Sequence, residues 1–338
     1  MTVPAQKPAD EAKLARSFYR EPGGVIARDL SLKELSACVR DGRGPLWVDI
    51  DTSVRQQLAL LEKVFGFHPL AIEDVMNPNS RAKAEAYEGY IFVILRAVRL
   101  DEQTSDPYDL ETENVHFFIG QNVLVTAHNG PSRLMDSVSE LALRNGDLVG
   151  RGPGRLAHLV MDAAVDSFFP VLDRIDDFID SLEERVFKEF REDALRDIFS
   201  VKRLVLSLRR YLAPEREIFN VLTNRPSPYL STDIQLYYRD IYDHVLRIND
   251  ALDTYRDLLS STLESYLSQV SNRLGKVTAG LTVVATMSVP FVVVSGMWGM
   301  NFDRIPLASY PWGFEIMVVV QLALGGGLLW VLRRMGLF

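Results

Sequence analysis

The sequence predicts a membrane protein in which an α+β domain and a set of long helices precede two C-terminal transmembrane helices. Three observations predict it. Val277 to Phe302 gives 26 residues without a charge, and Ile316 to Leu332 gives a second apolar run of 17. Strand-length runs of β-branched and aromatic residues fall before about residue 160, and from Thr232 a helical pattern runs without Pro or Gly as far as Gly275. A helix rises about 1.5 Å per residue, so the first run crosses a hydrocarbon layer of roughly 30 Å and the second is at the lower limit of a span. The division expected from these features is an α/β domain over 1–160, a helical stalk over 161–275 and a two-span domain over 276–338. The spans are expected at about 277–298 and 314–332, with a loop at 299–313 between them.

Whole-chain averages conceal this division. The 338 residues carry a net charge of −8 with 24% charged residues, and the mean hydropathy is +0.02. About 275 polar residues dilute roughly 60 membrane residues. Cys38 is the one cysteine, which excludes an intrachain disulfide and a Cys-rich metal site. The acidic balance argues against nucleic acid as a partner. Met1 to Arg20 has no apolar core, so no cleavable signal peptide is expected and the polar part is expected in the cytoplasm. Arg273 and Lys276 precede the first span and Arg333 and Arg334 follow the second, while the turn carries Asp303, Arg304 and Glu315. Under the positive-inside rule both termini are cytoplasmic and the turn is outside.

Along the chain, Ser31 with Glu34 forms a capping box ahead of Leu35, Ala37 and Val39. Leu46 to Ile50, Ile91 to Leu95, Val115 to Ile119 and Val123 to Val125 read as strands, the last two joined as a hairpin through Gly120-Gln121-Asn122. Arg55 to Phe65 and Ser132 to Arg144 have helical periodicity. Pro69 opens a short helix bearing Glu73 and Asp74, acids that on sequence alone read as solvated. His116, His128 and His158 lack metal-tetrad spacing, and Gly150-Arg151-Gly152-Pro153-Gly154 lacks the Lys-Ser/Thr of a phosphate loop and reads as a linker. Long helices follow over Phe168 to Phe190 and Asp193 to Leu222, with interruptions expected near Pro170 and Pro214 and a stop at Arg225-Pro226-Ser227-Pro228. No set of catalytic residues is present, and no enzyme activity is expected.

The helix from Thr232 is the informative one. Ile241, Val245, Ile248, Leu252, Tyr255 and Leu259 recur as a coiled-coil seam, and Asp240, Asp243, Asp250, Asp253 and Asp257 cluster on roughly the opposite side. Two readings of that stripe stand side by side. It is a solvated polar face, the usual outcome for such a stripe, or it binds metal; the two stand level here because Asp is a poorer helix former than Glu and closely spaced carboxylates repel unless a cation offsets them. Counted to Trp298 this helix has about 66 residues and is roughly 100 Å long.

Within the first span Thr278, Leu281, Ala285, Val289, Val292 and Gly296 recur every 3 or 4 residues as a narrow face of modest-sized side chains. Helix packing and a pore lining both fit it. Two spans cannot enclose a conduit, so a channel built from them requires a ring of subunits. Asn301 and the carbonyls of Gly299 and Met300 would then repeat around the mouth, neutral oxygens suited to Mg2+, which dehydrates reluctantly.

Trp298-Gly299-Met300-Asn301-Phe302 ahead of a second terminal span resembles the signature of CorA-type magnesium transporters. Phe65 to Leu70 with Glu73-Asp74, Asp173 to Asp177, Tyr238 to His244 and Pro290 within the span are similar to the same family. The resemblance implies a homopentamer with a cytoplasmic funnel domain, a stalk helix continuous with the pore-lining span, and the second span facing lipid in the plasma membrane. It implies Mg2+ as both transported and regulatory ion, with Co2+ or Ni2+ as further ions and no organic cofactor. Asp74 and Asp240, with Glu73 and Asp243 beside them, become the metal-binding candidates. Gly299, Met300 and Asn301 become the selectivity mouth, and Leu281 and Val289 hydrophobic constrictions.

The loop departs from the family pattern, with Leu307 where a Glu is usual and Arg304 added, and Gly275 stands where an Asn is frequent. A Zn2+ transporter of the same architecture, distinguished by proton coupling, is the alternative; Met300 favours magnesium. An anchored enzyme or scaffold would use the spans as an anchor alone.

Overall fold

A computed structural model describes residues 14–21, 24, 26–42, 44–101, 104, 106–145, 147–189, 193–301, 305–307 and 309–334. The described chain divides into two compact units, one of residues 1–183 and 193–261 and one of 184–192 and 262–338.

The first unit is built on one mixed sheet. Its strands are β1 (Arg16–Arg20), β2 (Ile26–Arg28), β3 (Leu46–Asp51), β4 (Lys83–Tyr87), β5 (Tyr90–Leu100), β6 (Leu110–Gly120) and β7 (Val123–His128). Their order across the sheet is β2-β1-β3-β7-β6-β5-β4. β3 and β7 are parallel and the other pairs antiparallel. The expected hairpin is β6–β7, and the other two apolar runs are β3 and β5. β1, β2 and β4 carry no apolar run or strict alternation, which is why the sequence did not announce them. They lie toward the sheet edges, where one side of a strand needs little apolar surface.

Helices α1 (Leu32–Asp41), α2 (Arg55–Lys63) and α3 (Pro69–Met76) cover one face. Leu35, Leu60, Leu61, Ala71 and Val75 pack there with Leu46, Val48, Ile50, Phe92, Phe118 and Val125. The capping box forms, with Ser31 N donating to Glu34 Oε2 at 2.8 Å and Glu34 N donating to Ser31 Oγ at 3.4 Å. Helix α4 (Arg133–Arg144), capped by Ser132, meets the other face through Arg16, which donates to Ser139 Oγ and Asp136 Oδ1, both at 2.7 Å.

A short helix α5 (Asp147–Gly150) leads to α6 (Pro153–Asp166), α7 (Phe168–Glu184), a π-helical turn (Arg185–Glu189) and α8 (Asp193–Asn224). The glycine-rich stretch is a packing contact more than a linker: a Cβ on Gly154 would lie 3.0 Å from Ile234 Cδ1, and Tyr238 Oη donates to the Gly154 carbonyl at 3.0 Å. The break expected near Pro170 falls ahead of it, at Ser167, and Pro170 occupies the first turn of α7. Pro214 does not interrupt α8. Leu208, Leu212, Ile218 and Phe219 are buried on either side of it, so apolar packing holds the helix together across the lost N–H. Phe190 lies outside the described residues.

Helix α9 (Thr232–Trp298) is a single helix of 67 residues. Of the expected seam, Ile241, Val245, Ile248, Leu252 and Leu259 are fully buried, while Tyr255 is partly exposed and donates to the Leu172 carbonyl at 3.3 Å. In the second unit α10 (Gly313–Arg334) packs on α9. A Cβ on Gly325 would lie 2.9 Å from the Phe291 ring, and Gln321 Nε2 donates to Ser295 Oγ at 3.1 Å. Both helices are long and apolar enough to cross a membrane.

One buried acid has a consequence for stability. Glu215 of α8 is 1% exposed, and its Oε1 accepts from the Arg96 N–H at 2.7 Å. Burial pushes its pKa from 4.5 up to about 8. The folded state therefore holds a proton that the unfolded state has lost between those values. This acid makes stability fall by about 1.4 kcal/mol per pH unit through that window. Glu215→Gln keeps the acceptor oxygen and removes the titration. The difference in unfolding free energy between variant and parent is expected to grow in the variant's favour from pH 5 to pH 8, read by denaturant titration; a constant difference would contradict it.

Candidate functional site

The polar cluster of the first unit lies where α6 faces α9. On α6, Arg155, His158, Asp162 and Asp166 recur at 3 or 4 residues and share one side. On α9, Asp240 and His244 are one turn apart. His244 Nδ1 lies 3.0 Å from Asp166 Oδ1 and 3.9 Å from Asp162 Oδ1. Among the described residues, Asp162, Asp166 and His244 form the one group whose ligand atoms all lie within 4.8 Å of one another.

Electrostatics mark the same place. Burial, then the neighbouring charges of Asp166 and Asp240, push the Asp162 carboxyl above the usual range, while His244 draws it down. His158 is pushed down to about 4 by burial and by Arg155, whose guanidinium stacks 3.4 Å over the Tyr237 ring. Carboxylates that crowd one another in this way are relieved by a cation. Two carboxylates and an imidazole suit a divalent ion, and the nitrogen donor suits Co2+ or Ni2+ better than Mg2+.

The acids singled out from sequence are placed less compactly. Asp240 and Asp243 are exposed on α9, and Asp240 is close enough to act on Asp162 and His158. Asp74 is half-buried on α3 and its Oδ2 is 2.8 Å from Lys83 Nζ, while Glu73 is exposed. Neither Asp74 nor Glu73 joins the three-ligand group. Sequence reasoning missed Asp162, Asp166 and His244. A spacing of 4 between Asp162 and Asp166 was the available signal, but His244 lies 78 residues beyond Asp166 and only the packing of α6 on α9 brings it there.

The span residues are described within the second unit. The α10-facing side of α9 holds Met287, Phe291 and Ser295, which recur every 4 residues. Thr278, Leu281, Ala285, Val289, Val292 and Gly296 are exposed and lie between about 120° and 180° around the helix from Met287, at 100° per residue. After Trp298 the helix ends in a turn, with Gly299 N donating to the Ser295 carbonyl at 3.1 Å and Met300 N to the Met297 carbonyl at 3.4 Å. Met300 and Asn301 are exposed. Phe302, Asp303 and Arg304 lie outside the described residues, while Leu307 takes a left-handed φ of 67°. A Cβ on Gly313 would lie 2.1 Å from the Leu307 carbonyl oxygen, so only glycine fits that return into α10.

Comparison with known proteins decides the family. The family described as CorA-like Mg2+ transporter protein matches residues 42–334. The chain belongs to this CorA-like family. The cobalt/magnesium transport protein CorA of Thermotoga maritima is 32% identical over 287 residues, 83% of this chain and 80% of that one. A metal ion transporter named YfjQ, of putative status, from Bacillus subtilis is 31% identical over 289 residues, 85% of this chain and 88% of its own. The complete structure of the CorA magnesium transporter from Methanocaldococcus jannaschii superposes with a TM-score of 0.82 at 20% identity, covering 96% of this chain and 99% of that one. As a CorA-like protein the chain is a divalent cation transporter and not an enzyme, and Mg2+ is the ion its family transports.

Proposed function

We propose that five copies of this CorA-like chain form a ring in the plasma membrane that admits Mg2+ down its electrochemical gradient and is closed by cytoplasmic Mg2+. The observation that carries the reading is the division of α9 within the second unit. One side is covered by α10, and the row from Thr278 to Val292, with Asn301 beyond it, stays uncovered on the other. A ring that turns this row inward puts α10 outside, toward lipid. Thr278, Leu281, Ala285, Val289 and Val292 then line the path, with Leu281 and Val289 as apolar constrictions, and Gly299, Met300 and Asn301 repeat at its mouth. Neutral oxygens there hydrogen-bond the waters of a hydrated ion without trapping it. Both chain termini lie in the cytoplasm in this arrangement, as the flanking arginines favour.

Closure is assigned to the acids. Asp74, with Glu73, on one subunit and Asp240, with Asp243, on its neighbour bind Mg2+ between them. Facing carboxylates repel until a divalent ion joins them, so the ion stabilises the closed ring. Because α9 carries both Asp240 and the pore row, loss of the ion is transmitted along one helix.

Zinc transport is the competing reading, and a relative named as a zinc transport protein is 22% identical where the cobalt/magnesium relative is 32%. Mg2+ and Zn2+ uptake into liposomes, with and without a proton gradient, separates the two. Mg2+ uptake that follows the membrane potential and ignores the proton gradient is expected; uptake of Zn2+ alone, driven by protons, would overturn the proposal.

A further inference from the structure

The cations at the Arg334 end of α10 are gathered on one side of the second unit. Helices α9 and α10 run antiparallel, since Gln321 reaches Ser295 while Gly325, further along α10, meets Phe291 and Met287, further back along α9. Continued for about 12 Å past Gly325, α10 brings Arg333 level with Leu281 to Val283 of α9, and Lys276 follows about 7 to 10 Å beyond that level, at about 1.5 Å per residue. Lys276 and Arg273 both lie within about 40° of Met287 around α9, on the side that α10 covers. The row from Thr278 to Val292 lies on the other side, so these cations sit away from it.

Arg273, Lys276, Arg333 and Arg334 are all exposed. Among the described residues Lys276, Arg333 and Arg334 have no carboxylate partner, and no Asp or Glu occurs from Ser265 to Phe302 or from Ile316 onward. A chain with a net charge of −8 therefore carries a patch of like positive charges at this corner. Such charges repel one another, and an anion among them relieves the repulsion. Arginine offers paired N–H donors that match phosphate oxygens, and lysine adds a point charge.

The surface beside the patch is apolar. Trp330 is 62% exposed with the Arg334 guanidinium 5.4 Å over its ring, and Ala323 and Val319 continue the same side of α10 as an exposed apolar face. Tryptophan with a cation suits the boundary between hydrocarbon and headgroups. A soluble anion would meet the cations and leave this face unused, whereas a phospholipid uses both. We infer that the corner formed by Lys276, Arg333 and Arg334 binds the phosphate of an anionic phospholipid, whose acyl chains lie along Trp330, Ala323 and Val319. This assignment rests on the reading of α10 as the lipid-facing span with its end at the cytoplasmic leaflet, where anionic lipids are found. A lipid held there ties the end of α10 to the foot of the α9 span.

The test uses the full chain in detergent and energy transfer from its tryptophans to phosphatidylglycerol carrying dansyl on an acyl chain, with dansyl phosphatidylcholine as the zwitterionic comparison. Saturable transfer is expected, with phosphatidylglycerol preferred by about tenfold or more. Lys276→Gln with Arg333→Gln and Arg334→Gln is expected to abolish that preference with the melting temperature unchanged, because all three side chains are exposed. Lys276→Arg with Arg333→Lys and Arg334→Lys, which keeps the charge, is expected to retain most of it. Arg196→Gln with Arg203→Gln, which removes two exposed cations of α8, is expected to leave it intact. Equal transfer to the two lipids, or a preference that survives in the triple glutamine variant, would overturn the inference. Displacement of the lipid by millimolar glycerol phosphate would overturn the assignment to a lipid in favour of a soluble phosphate. Binding alone is read, so a protein that keeps the preference and carries no Mg2+ would remove the channel reading and leave the lipid site standing.

Discussion

Asn301→Ala is expected to lower Mg2+ flux through the reconstituted protein by about tenfold or more, with the melting temperature unchanged. The side chain is exposed just beyond the end of α9, so its removal leaves no buried cavity. What it removes is an amide that hydrogen-bonds the hydrated ion, a contact with a charged partner worth about 1.5–3 kcal/mol, repeated on every subunit. Asn301→Asp separates charge from geometry. It keeps an oxygen but adds one negative charge per subunit, and Mg2+ is then expected to bind more tightly at the mouth and to leave more slowly. An anchored enzyme or scaffold requires nothing of this side chain, so unchanged flux in Asn301→Ala would count for that class.

The second large effect concerns closure. Asp74→Ala with Asp240→Ala is expected to raise, by about tenfold or more, the Mg2+ concentration that protects the closed ring from proteolysis. Asp74 enters this account already paired, 2.8 Å from Lys83 Nζ. A lysine that must release the acid competes with the ion, so Lys83→Met is expected to lower the protective concentration a few-fold. That corresponds to about 0.5–1 kcal/mol for a half-exposed pair. A purely structural role for the Asp74–Lys83 pair predicts the reverse, a looser protein without Lys83. Unchanged protection in the double alanine variant would remove both acids from the sensor.

Much of this was legible in the sequence because it was written locally. Uncharged runs, the Ser31–Glu34 box, the Gly120–Asn122 turn and the seam from Ile241 to Leu259 each fall within one element, where spacing alone fixes the outcome. Pro214 was misread because a proline's local cost was weighed without the buried residues that hold α8 together around it. The cluster of Asp162, Asp166 and His244 was out of reach for the opposite reason. No spacing along the chain joins α6 to α9, and a single histidine beside a stripe of aspartates carries no signal until packing places it.

Cysteine accessibility along the two spans addresses the account most directly. With Cys38→Ser as background, Ala285→Cys or Val292→Cys in α9 is expected to let a charged, membrane-impermeant thiol reagent block Mg2+ flux, while Val319→Cys or Leu324→Cys in α10 leaves it intact. Block from the α10 positions with none from Ala285 or Val292 would place the path elsewhere and contradict the ring.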